Sequence, residues 1–492
     1  MEADPAADEA AADRDAGLIR RFRVRALPAA PFLCLLALGT PGASLAQAPA
    51  SLAQEVRATA SALHKQALAG TRAYDIVRSL TVEVGPRLAG SKGYDAAVAW
   101  GLRTLKRLGF SNVHAEKTTV PHWERGAESG EIVSPWPQPV HLAALGGSVG
   151  TPAAGVQAQV IEVPSLDAVD QLDPARVKGR IVFYNVRMAR AKDGSGYGKA
   201  VTVRSKGASR AAKLGAAAVL IRSIGTDNNR TPHTGSVRYE DGAPKIPAAA
   251  LSNPDADLLA AEVASGRPVT FRLKLGARKL PDVETASVVG EIPGRERPEE
   301  IVLLGAHLDS WDLGTGAIDD GAGCAIMIEA ARRIAQLPKK PRRTIRVVLF
   351  ANEEFGTSGS KSYAVAHKDE LARHAMAGES DFGAGRVWRV SSRVDPAKLP
   401  IVADLGKLLG LPQGNNEAEG GTDLRTLLGV PVIALDQDGT RYFDYHHTAN
   451  DTLDKIDRKD LDQNVAAWAA VAYAVAEMPG DLGRAPALKE RE

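Results

Sequence analysis

Two adjacent carboxylates, Glu353 and Glu354, follow the apolar run Thr344–Phe350 in this chain of 492 residues. The run is typical of a buried strand, and open α/β sheets place their chemistry at the carboxyl ends of strands. A metal-dependent hydrolase needs one carboxylate to bind metal and a free one to accept a proton from water. The pair is therefore a candidate for both roles.

Four more clusters of imidazole and carboxylate groups flank this pair. They are His307 with Asp309, Asp319 with Asp320, Glu379 with Asp381, and His446 and His447 with Asp451. Nitrogen and oxygen donors of this kind suit zinc. Each cluster alone is more typical of turns or of solvated surface. Their joint occurrence, in this order and at strand ends, favours a site for two zinc ions.

The residues by themselves leave the role of each group open. Of His307 and Asp309, one can bind metal while the other orients it. Of Asp319 and Asp320, one can bridge two cations while its neighbour caps the following helix.

The two roles of metal ligand and proton acceptor could likewise be divided between Glu353 and Glu354. If the strand extends to Glu353 and Glu354, their side chains point in opposite directions, and one could bind metal while the other faces water. The H-E-x-x-H motif of single-zinc enzymes is absent. The segment Gly356–Ser360 departs from G-x-S-x-G at its last residue, which disfavours a serine nucleophile.

Composition excludes some functions. The chain has 61 basic and 59 acidic residues and a formal charge of +2, without a long basic stripe, so no nucleic-acid partner is expected. It has two cysteines, and only Cys324 lies beyond the N-terminal leader that contains Cys34. No intrachain disulfide is expected in the mature chain, and Cys324 is predicted to be a small buried core residue.

Residues 1–48 read as a signal segment. Basic residues at 20–25 precede a short apolar run at 29–38, and small residues at 46–48 suit cleavage. The acidic stretch at 1–15 is atypical, so an uncleaved anchor is the alternative. The expected location is secreted or periplasmic, with no stable membrane insertion after cleavage.

The rest of the chain predicts an α/β fold with a doubly wound, mostly parallel sheet. The expected domains are a catalytic domain in two parts, 49–130 and 281–480, a β-rich insert at 131–280 and a tail at 481–492. Helices are predicted at 51–83, 94–108, 321–336, 358–374 and 400–409, and strands at 112–120, 300–306, 344–351 and 430–436. The insert has no cluster of candidate metal ligands, and its His233 is predicted to have no role in the site.

Several flanking segments extend the pattern of the ligand motifs. They are Pro86–Ser91, Val120–Trp123, Leu145–Gly150 and Thr231–Gly235. Together with the ligand motifs, they resemble the co-catalytic zinc peptidases, which include secreted bacterial aminopeptidases and glutamate carboxypeptidase. The resemblance covers nearly all of the mature chain and is closest to the plasma glutamate carboxypeptidase group. It implies a bilobal fold with a protease-associated insert, and a homodimer.

The resemblance also implies a role for each residue of the site. His307 and Asp381 would bind one zinc, Glu354 and His447 the other, and Asp319 both; Glu353 would be the general base and acid; Asp309 would orient His307, and Asp451 would orient His447. Glutamate carboxypeptidase has tyrosine immediately before its zinc histidine, whereas this chain has His446 there and Tyr445 one residue earlier. His446 is the first candidate for the oxyanion donor and Tyr445 the second.

The expected function is therefore that of an exported di-zinc exopeptidase acting on dipeptides or short peptides, of carboxypeptidase or dipeptidase type. An aminopeptidase of the same family is the alternative. A carboxypeptidase needs a cation for the terminal carboxylate, and the candidates near the ligand loops are Arg386, Arg389, Arg425 and Arg441. A non-catalytic binding ectodomain is a remote alternative, because neither a ligand nor the base is missing.

Overall fold

The computed structural model describes residues 51–488. The predicted signal segment, with Cys34, lies outside the described residues. Within residues 51–488, none of the helices combines the length and the apolar character needed to cross a membrane.

The strands of the described residues are numbered in chain order. They are β1 Ser111–Glu124, β2 Glu128–Ser134, β3 Gln138–Val140, β4 Leu142–Ala144, β5 Val156–Val163, β6 Ile181–Tyr184, β7 Ala218–Arg222, β8 Ala248–Leu251, β9 Thr270–Leu275, β10 Arg278–Ile292, β11 Arg297–His307, β12 Arg343–Phe350, β13 His374–Glu379, β14 Val387–Arg393 and β15 Val432–Gln437.

The α-helices are numbered in the same way. They are α1 Gln54–Leu68, α2 Ala73–Glu83, α3 Lys92–Arg107, α4 Leu166–Asp170, α5 Pro174–Val177, α6 Ser195–Lys213, α7 Asn253–Ala264, α8 Ala322–Ala335, α9 Ser358–Ala366, α10 Leu399–Leu409 and α11 Arg458–Glu477.

Seven strands form the first sheet in the order β1-β10-β12-β11-β13-β15-β14. Its centre, β12-β11-β13-β15, is parallel, whereas β10, β1 and β14 pair antiparallel. The prediction of a mostly parallel sheet therefore holds only for the centre. The physical reason is that β1 leads into the second sheet and β10 returns from it, so the two strands run in opposite directions.

Helices and loops bury both faces of the first sheet. Along β11, Val302 and Leu304 join a core cluster with α1, α2, α3, α8 and α11. The alternate residues Ile301 and Leu303 join a second cluster with Tyr363 of α9. A strand that is buried on both faces reads as a continuous apolar run, which is why these strands could be recognised in the sequence.

Eight strands form the second sheet in the order β3-β2-β9-β5-β6-β7-β8-β4. All of them lie within residues 128–275, together with α4 to α7, and we call this segment the insert lobe. The sequence predicts an insert at 131–280, whereas β10, which starts at Arg278, already belongs to the first sheet.

Two predicted helices differ from the observed ones. The helix expected at 51–83 is two helices, α1 and α2, separated at Gly70, whose φ of +137° is incompatible with a continuous helix. The helix expected at 358–374 ends at Ala366, and β13 begins at His374. The apolar periodicity of this helix stops at the polar run 368–370, which carries no buried face.

Candidate metal centre

Three adjacent parallel strands bring the candidate ligands to one edge of the first sheet. His307 is the last residue of β11, the pair Glu353 and Glu354 follows β12, and Asp381 follows β13. His307 lies beside Phe350 in the sheet register, and Gly305 lies beside Glu379. The strand-end placement of the site was therefore readable from the sequence.

Asp319 lies between two histidines. Its Oδ1 is 3.1 Å from Nε2 of His307, and its Oδ2 is 3.3 Å from Nε2 of His447. His307 Nε2 is also 3.2 Å from Asp381 Oδ1, and His447 Nε2 is 3.0 Å from Glu354 Oε2. The arrangement is two half-sites that share one carboxylate.

The donor set fits a pair of cations. His307 is fully buried, Asp319 is 4 % exposed, and Oε1 of Glu354 is buried without a hydrogen-bond partner. Although burial lowers the pKa of His307, the charge of Asp381 raises it well above its ordinary value. Several carboxylates buried around two imidazoles leave an excess of negative charge, which metal ions would neutralise.

Asp320 accepts hydrogen bonds from the backbone around the site, and it also lies close enough to His307 and Asp381 to share a metal ion with them. Its Oδ1 accepts a hydrogen bond of 2.9 Å from the Gly323 N–H in the first turn of α8, and its Oδ2 accepts one of 3.1 Å from the His307 N–H. This is the helix-capping alternative of the sequence analysis. A Cβ on Gly323 would lie 1.9 Å from the Ser380 carbonyl oxygen, so only glycine lets α8 approach the β13 loop.

Asp309 holds three parts of the site together. Nδ1 of His307 lies 3.1 Å from the carbonyl oxygen of Asp309 and 3.6 Å from its Oδ1. The same Oδ1 accepts a hydrogen bond of 3.1 Å from the Glu353 N–H. Its Oδ2 accepts one of 3.3 Å from the Glu354 N–H. These contacts fit a residue that orients His307, and they add a role that the sequence did not suggest, which is to fix the backbone of the carboxylate pair.

The expectation that Asp451 orients His447 is wrong. The Asp451 carboxylate accepts hydrogen bonds of 2.6 Å from the Ile318 N–H and 3.2 Å from the Asp319 N–H. The chain turns at Thr448 and Asp451, which directs this carboxylate to the loop before α8. Nδ1 of His447 lies instead 3.3 Å from the carbonyl oxygen of Thr234 in the insert lobe.

The insert lobe therefore takes part in the site, which the sequence analysis missed. Arg204 on α6 is 7 % exposed, and its Nη1 lies 3.5 Å from His447 Nδ1 and 3.4 Å from the Thr234 carbonyl oxygen. Its Nη2 donates to the Tyr197 hydroxyl at 2.6 Å. A Cβ on Gly235 would lie 2.2 Å from Arg204 Nη1. Nothing in the local sequence of α6 signals this contact, because Arg204 stands far from every ligand in the chain.

Two further residues complete the surroundings of the ligands. Trp311 Nε1 donates to Glu354 Oε2 at 2.6 Å, and its position two residues after Asp309 could have suggested it. Arg87 is fully buried and donates to the carbonyl oxygens of Leu308 at 2.6 Å and of Gly316 at 2.8 Å. The loop between β11 and α8 is thus fixed from the segment Pro86–Ser91.

A turn separates the two glutamates from strand β12. Strand β12 ends at Phe350, and Asn352 has a φ of +62°, so the pleat of a strand does not set their directions. Glu354 reaches His447, as described above. Burial, followed by the charge of Asp381, raises the pKa of Glu353 well above its ordinary value. Glu353 thus lies close to the charged side chains of the candidate ligands.

The two candidates for the oxyanion donor lie in different surroundings. The His446 ring stacks on that of His447 with 3.5 Å between centroids, and its Nε2 is 3.6 Å from Asp319 Oδ2. The Tyr445 hydroxyl instead pairs with the guanidinium of Arg441. His446 is the residue at the ligand cluster, and it also stands close enough to Asp319 and His447 to be a metal ligand itself.

Replacing His446 and His447 one at a time will distinguish the metal ligand from the oxyanion donor. We expect His447→Ala to lower the metal content, because its Nε2 contacts both Glu354 and Asp319, whereas His446→Ala keeps nearly full metal and loses turnover. Metal analysis after dialysis, paired with kinetics, is the measurement. If His446→Ala is the variant that loses metal, the ligand is one residue earlier than assigned.

A sheet with a parallel centre, at whose edge a carboxylate joins two histidines, is the arrangement of a metallopeptidase. Residues 287–472 match peptidase family M28. The chain is 39 % identical to carboxypeptidase Q of Rattus norvegicus, over 84 % of this chain and 87 % of that protein. It is 37 % identical to carboxypeptidase Q of Homo sapiens, over 85 % and 88 %.

A solved structure agrees with these relatives. The crystal structure of a Peptidase M28 precursor from Shewanella amazonensis SB2B superimposes with a TM-score of 0.86 at 47 % identity, covering 88 % of this chain and 99 % of that one. The chain belongs to peptidase family M28, and the resemblance to the plasma glutamate carboxypeptidase group is confirmed. It is a metallopeptidase, an enzyme and not a binding ectodomain.

Proposed function

We propose that the protein is an exported di-zinc exopeptidase that hydrolyses dipeptides or short peptides, of carboxypeptidase or dipeptidase type. The observation that carries the proposal is Asp319, whose two oxygens face His307 and His447 at 3.1 and 3.3 Å. Similarity to carboxypeptidase Q along most of the chain supports the type of peptidase. The composition of the leader supports export.

The two half-sites support the ligand roles that the resemblance implies. His307 and Asp381 would hold one zinc, Glu354 and His447 the other, and Asp319 both. When bound, the zinc ions supply Lewis acidity, which lowers the pKa of water and polarises the scissile carbonyl.

The chain's own groups would move the protons. Glu353 accepts a proton from the attacking water and passes it to the leaving amine. An N–H of His446, which lies at the cluster, donates to the developing oxyanion, with Tyr445 as the second choice. Burial lowers the pKa of His446 well below its ordinary value, which favours the neutral imidazole with one N–H.

The insert lobe would act as a protease-associated domain that roofs the cleft. The Thr234 carbonyl contacts Nδ1 of the ligand His447 from the side of this lobe. Arg204 Nη1 lies beside both of these groups. A roof that also positions a ligand would limit access to short peptides and exclude water during the reaction.

One cavity suits the carboxylate end of a substrate. It has a volume of about 390 Å³, and its lining includes the cations Arg386, Arg441 and Lys455 beside the acids Asp438, Asp457 and Asp460. Arg386 is paired with Asp460 at 3.2 Å. Arg441 pairs with the Tyr445 hydroxyl, whereas Arg389, another candidate, is held by Asp436 at 2.6 Å. We assign capture of the substrate carboxylate to Arg441, because a guanidinium binds a carboxylate through two parallel hydrogen bonds.

Blocking each end of a dipeptide will test the assignment. We expect the C-terminal amide to lower kcat/KM by about tenfold or more, because it leaves a cation of the cavity without its partner. N-acetylation of the dipeptide should lower kcat/KM by a smaller factor. The measurement is kcat/KM for one dipeptide, its amide and its N-acetyl form.

The aminopeptidase alternative predicts the opposite result. Rapid cleavage of the amide with no cleavage of the N-acetyl form would establish it and contradict the carboxypeptidase proposal. The homodimer remains a prediction, and the mass of the zinc-loaded protein in solution will test it.

A further inference from the structure

A second cavity adjoins the metal centre on the other side of Phe382, which lines both cavities. It has a volume of about 400 Å³ and reaches the ligand Asp381. This is the size range of sites for small molecules, about 300–1,000 Å³. A substrate bound at the metal centre would have this space next to its scissile bond.

The lining of the second cavity is strongly acidic. It contains one basic side chain, Arg389, and six acidic ones, which are Asp193, Glu379, Asp381, Glu417, Glu419 and Asp436. The basic side chain is already paired, since Arg389 Nε donates to Asp436 Oδ2 at 2.6 Å. A second ion pair joins Glu419 Oε2 to Arg425 Nη1 at 3.7 Å. The six acidic side chains of the lining still outnumber these two guanidinium groups.

One of these acids carries a separate indication of a ligand. Glu379 is 6 % exposed, and its Oε1 has no hydrogen-bond partner, while its Oε2 accepts only a long bond of 3.4 Å from the Leu424 N–H. Gly421 gives it space, because a Cβ there would lie 1.9 Å from Glu379 Oε2. A buried carboxylate oxygen on the wall of a cavity is costly unless a donor reaches it.

We propose that this cavity is a specificity subsite for the basic side chain, lysine or arginine, of a residue flanking the scissile bond. The inference rests on the proposed peptidase function and names its substrate class. A cationic side chain would supply the donors that Glu379 lacks and would offset the acidic excess. The volume suits a whole side chain. The α-ammonium group of the substrate is also a cation with N–H donors. The test distinguishes this group from a basic side chain as the occupant of the cavity.

The experiment compares lysine with norleucine, which has a similar length and no charge. The zinc-loaded enzyme is given Lys-Ala, norleucine-Ala, Ala-Lys and Ala-norleucine, and kcat/KM is measured for each. We expect lysine to exceed norleucine by about 10- to 100-fold at one of the two positions, the range of a hydrogen bond to a charged group. The position that shows the preference identifies the side of the bond that the cavity serves.

Variants link the preference to the cavity. We expect Glu379→Gln to bring the lysine-to-norleucine ratio close to one. Because Glu379 is two residues from the ligand Asp381, the double variant Asp193→Asn with Glu417→Gln provides a second test on exposed residues, and it should lower the ratio in part. Asp241→Asn, an exposed acid outside the cavity, is the charge-matched control and should leave the ratio unchanged.

The outcomes are distinct. Equal kcat/KM for lysine and norleucine at both positions, with all four dipeptides cleaved, overturns the subsite and leaves the peptidase proposal intact. If N-acetylation of norleucine-Ala abolishes cleavage and lysine gives no advantage, the cavity holds the α-ammonium group instead. No cleavage of any of the four by zinc-loaded enzyme overturns both proposals.

Discussion

Glu353→Gln is expected to lower turnover by about 10²- to 10⁴-fold while the protein keeps its metal, because the amide preserves the shape of the side chain but cannot accept a proton. Glu353 is half-buried beside the ligand cluster, and its backbone N–H is fixed by Asp309 at 3.1 Å, so the change leaves the loop in place. The measurement combines kcat on a dipeptide with zinc content.

A matched substitution on the surface separates this effect from a general loss of folding. Glu299 is exposed, and Glu299→Gln should keep both full activity and full metal content. Turnover like that of the unaltered protein in a zinc-loaded Glu353→Gln variant would remove Glu353 from the role of proton acceptor.

The second large effect is expected for Asp319→Asn, which should lose more metal than Asp309→Asn and become nearly inactive. Asp319 faces both histidines and would offset the repulsion between two dications, which a neutral amide does not do. Asp309 touches only one ligand ring, and replacing an orienting residue typically weakens metal binding by about 10- to 100-fold.

Zinc content after dialysis against a weak chelator distinguishes the two variants. Because Asp309 also accepts hydrogen bonds from the Glu353 and Glu354 N–H groups, Asp309→Asn should lose activity beyond its loss of metal. Equal zinc content in both variants would argue against Asp319 as the bridging residue.

The sequence predicted those parts of the site that depend on strand ends. His307, Glu353 and Glu354 come at the ends of predicted apolar strands, and parallel pairing of those strands brings their ends to one edge. Strand β13 before Asp381 was not predicted, and the role of Asp381 came from the resemblance. His447 came from the resemblance, and the structure places it against Asp319 and Glu354. The sheet edges were missed, because the direction of β10 depends on where the insert lobe returns the chain.

Contacts between distant segments were not predictable in this way. The group of Thr234 that faces His447 is its backbone carbonyl, so the pattern of side chains in the sequence cannot predict this contact. Arg204 lies on a helix whose spacing only indicates burial. The error over Asp451 has the same origin: the resemblance implied a partner for His447, but the turn at Thr448 directed the carboxylate to Ile318 and Asp319 instead.

The spread of the site along the chain has a consequence for biosynthesis. Arg87, which fixes the ligand loop, is among the earliest residues of the described chain to be translated, and Thr234 follows, but His447 comes near the end. Contacts between segments so far apart form late, since the intervening chain must first be ordered. The second half-site is therefore complete only when the chain has been translated through His447, so full metal loading is a step of maturation that follows synthesis of both lobes.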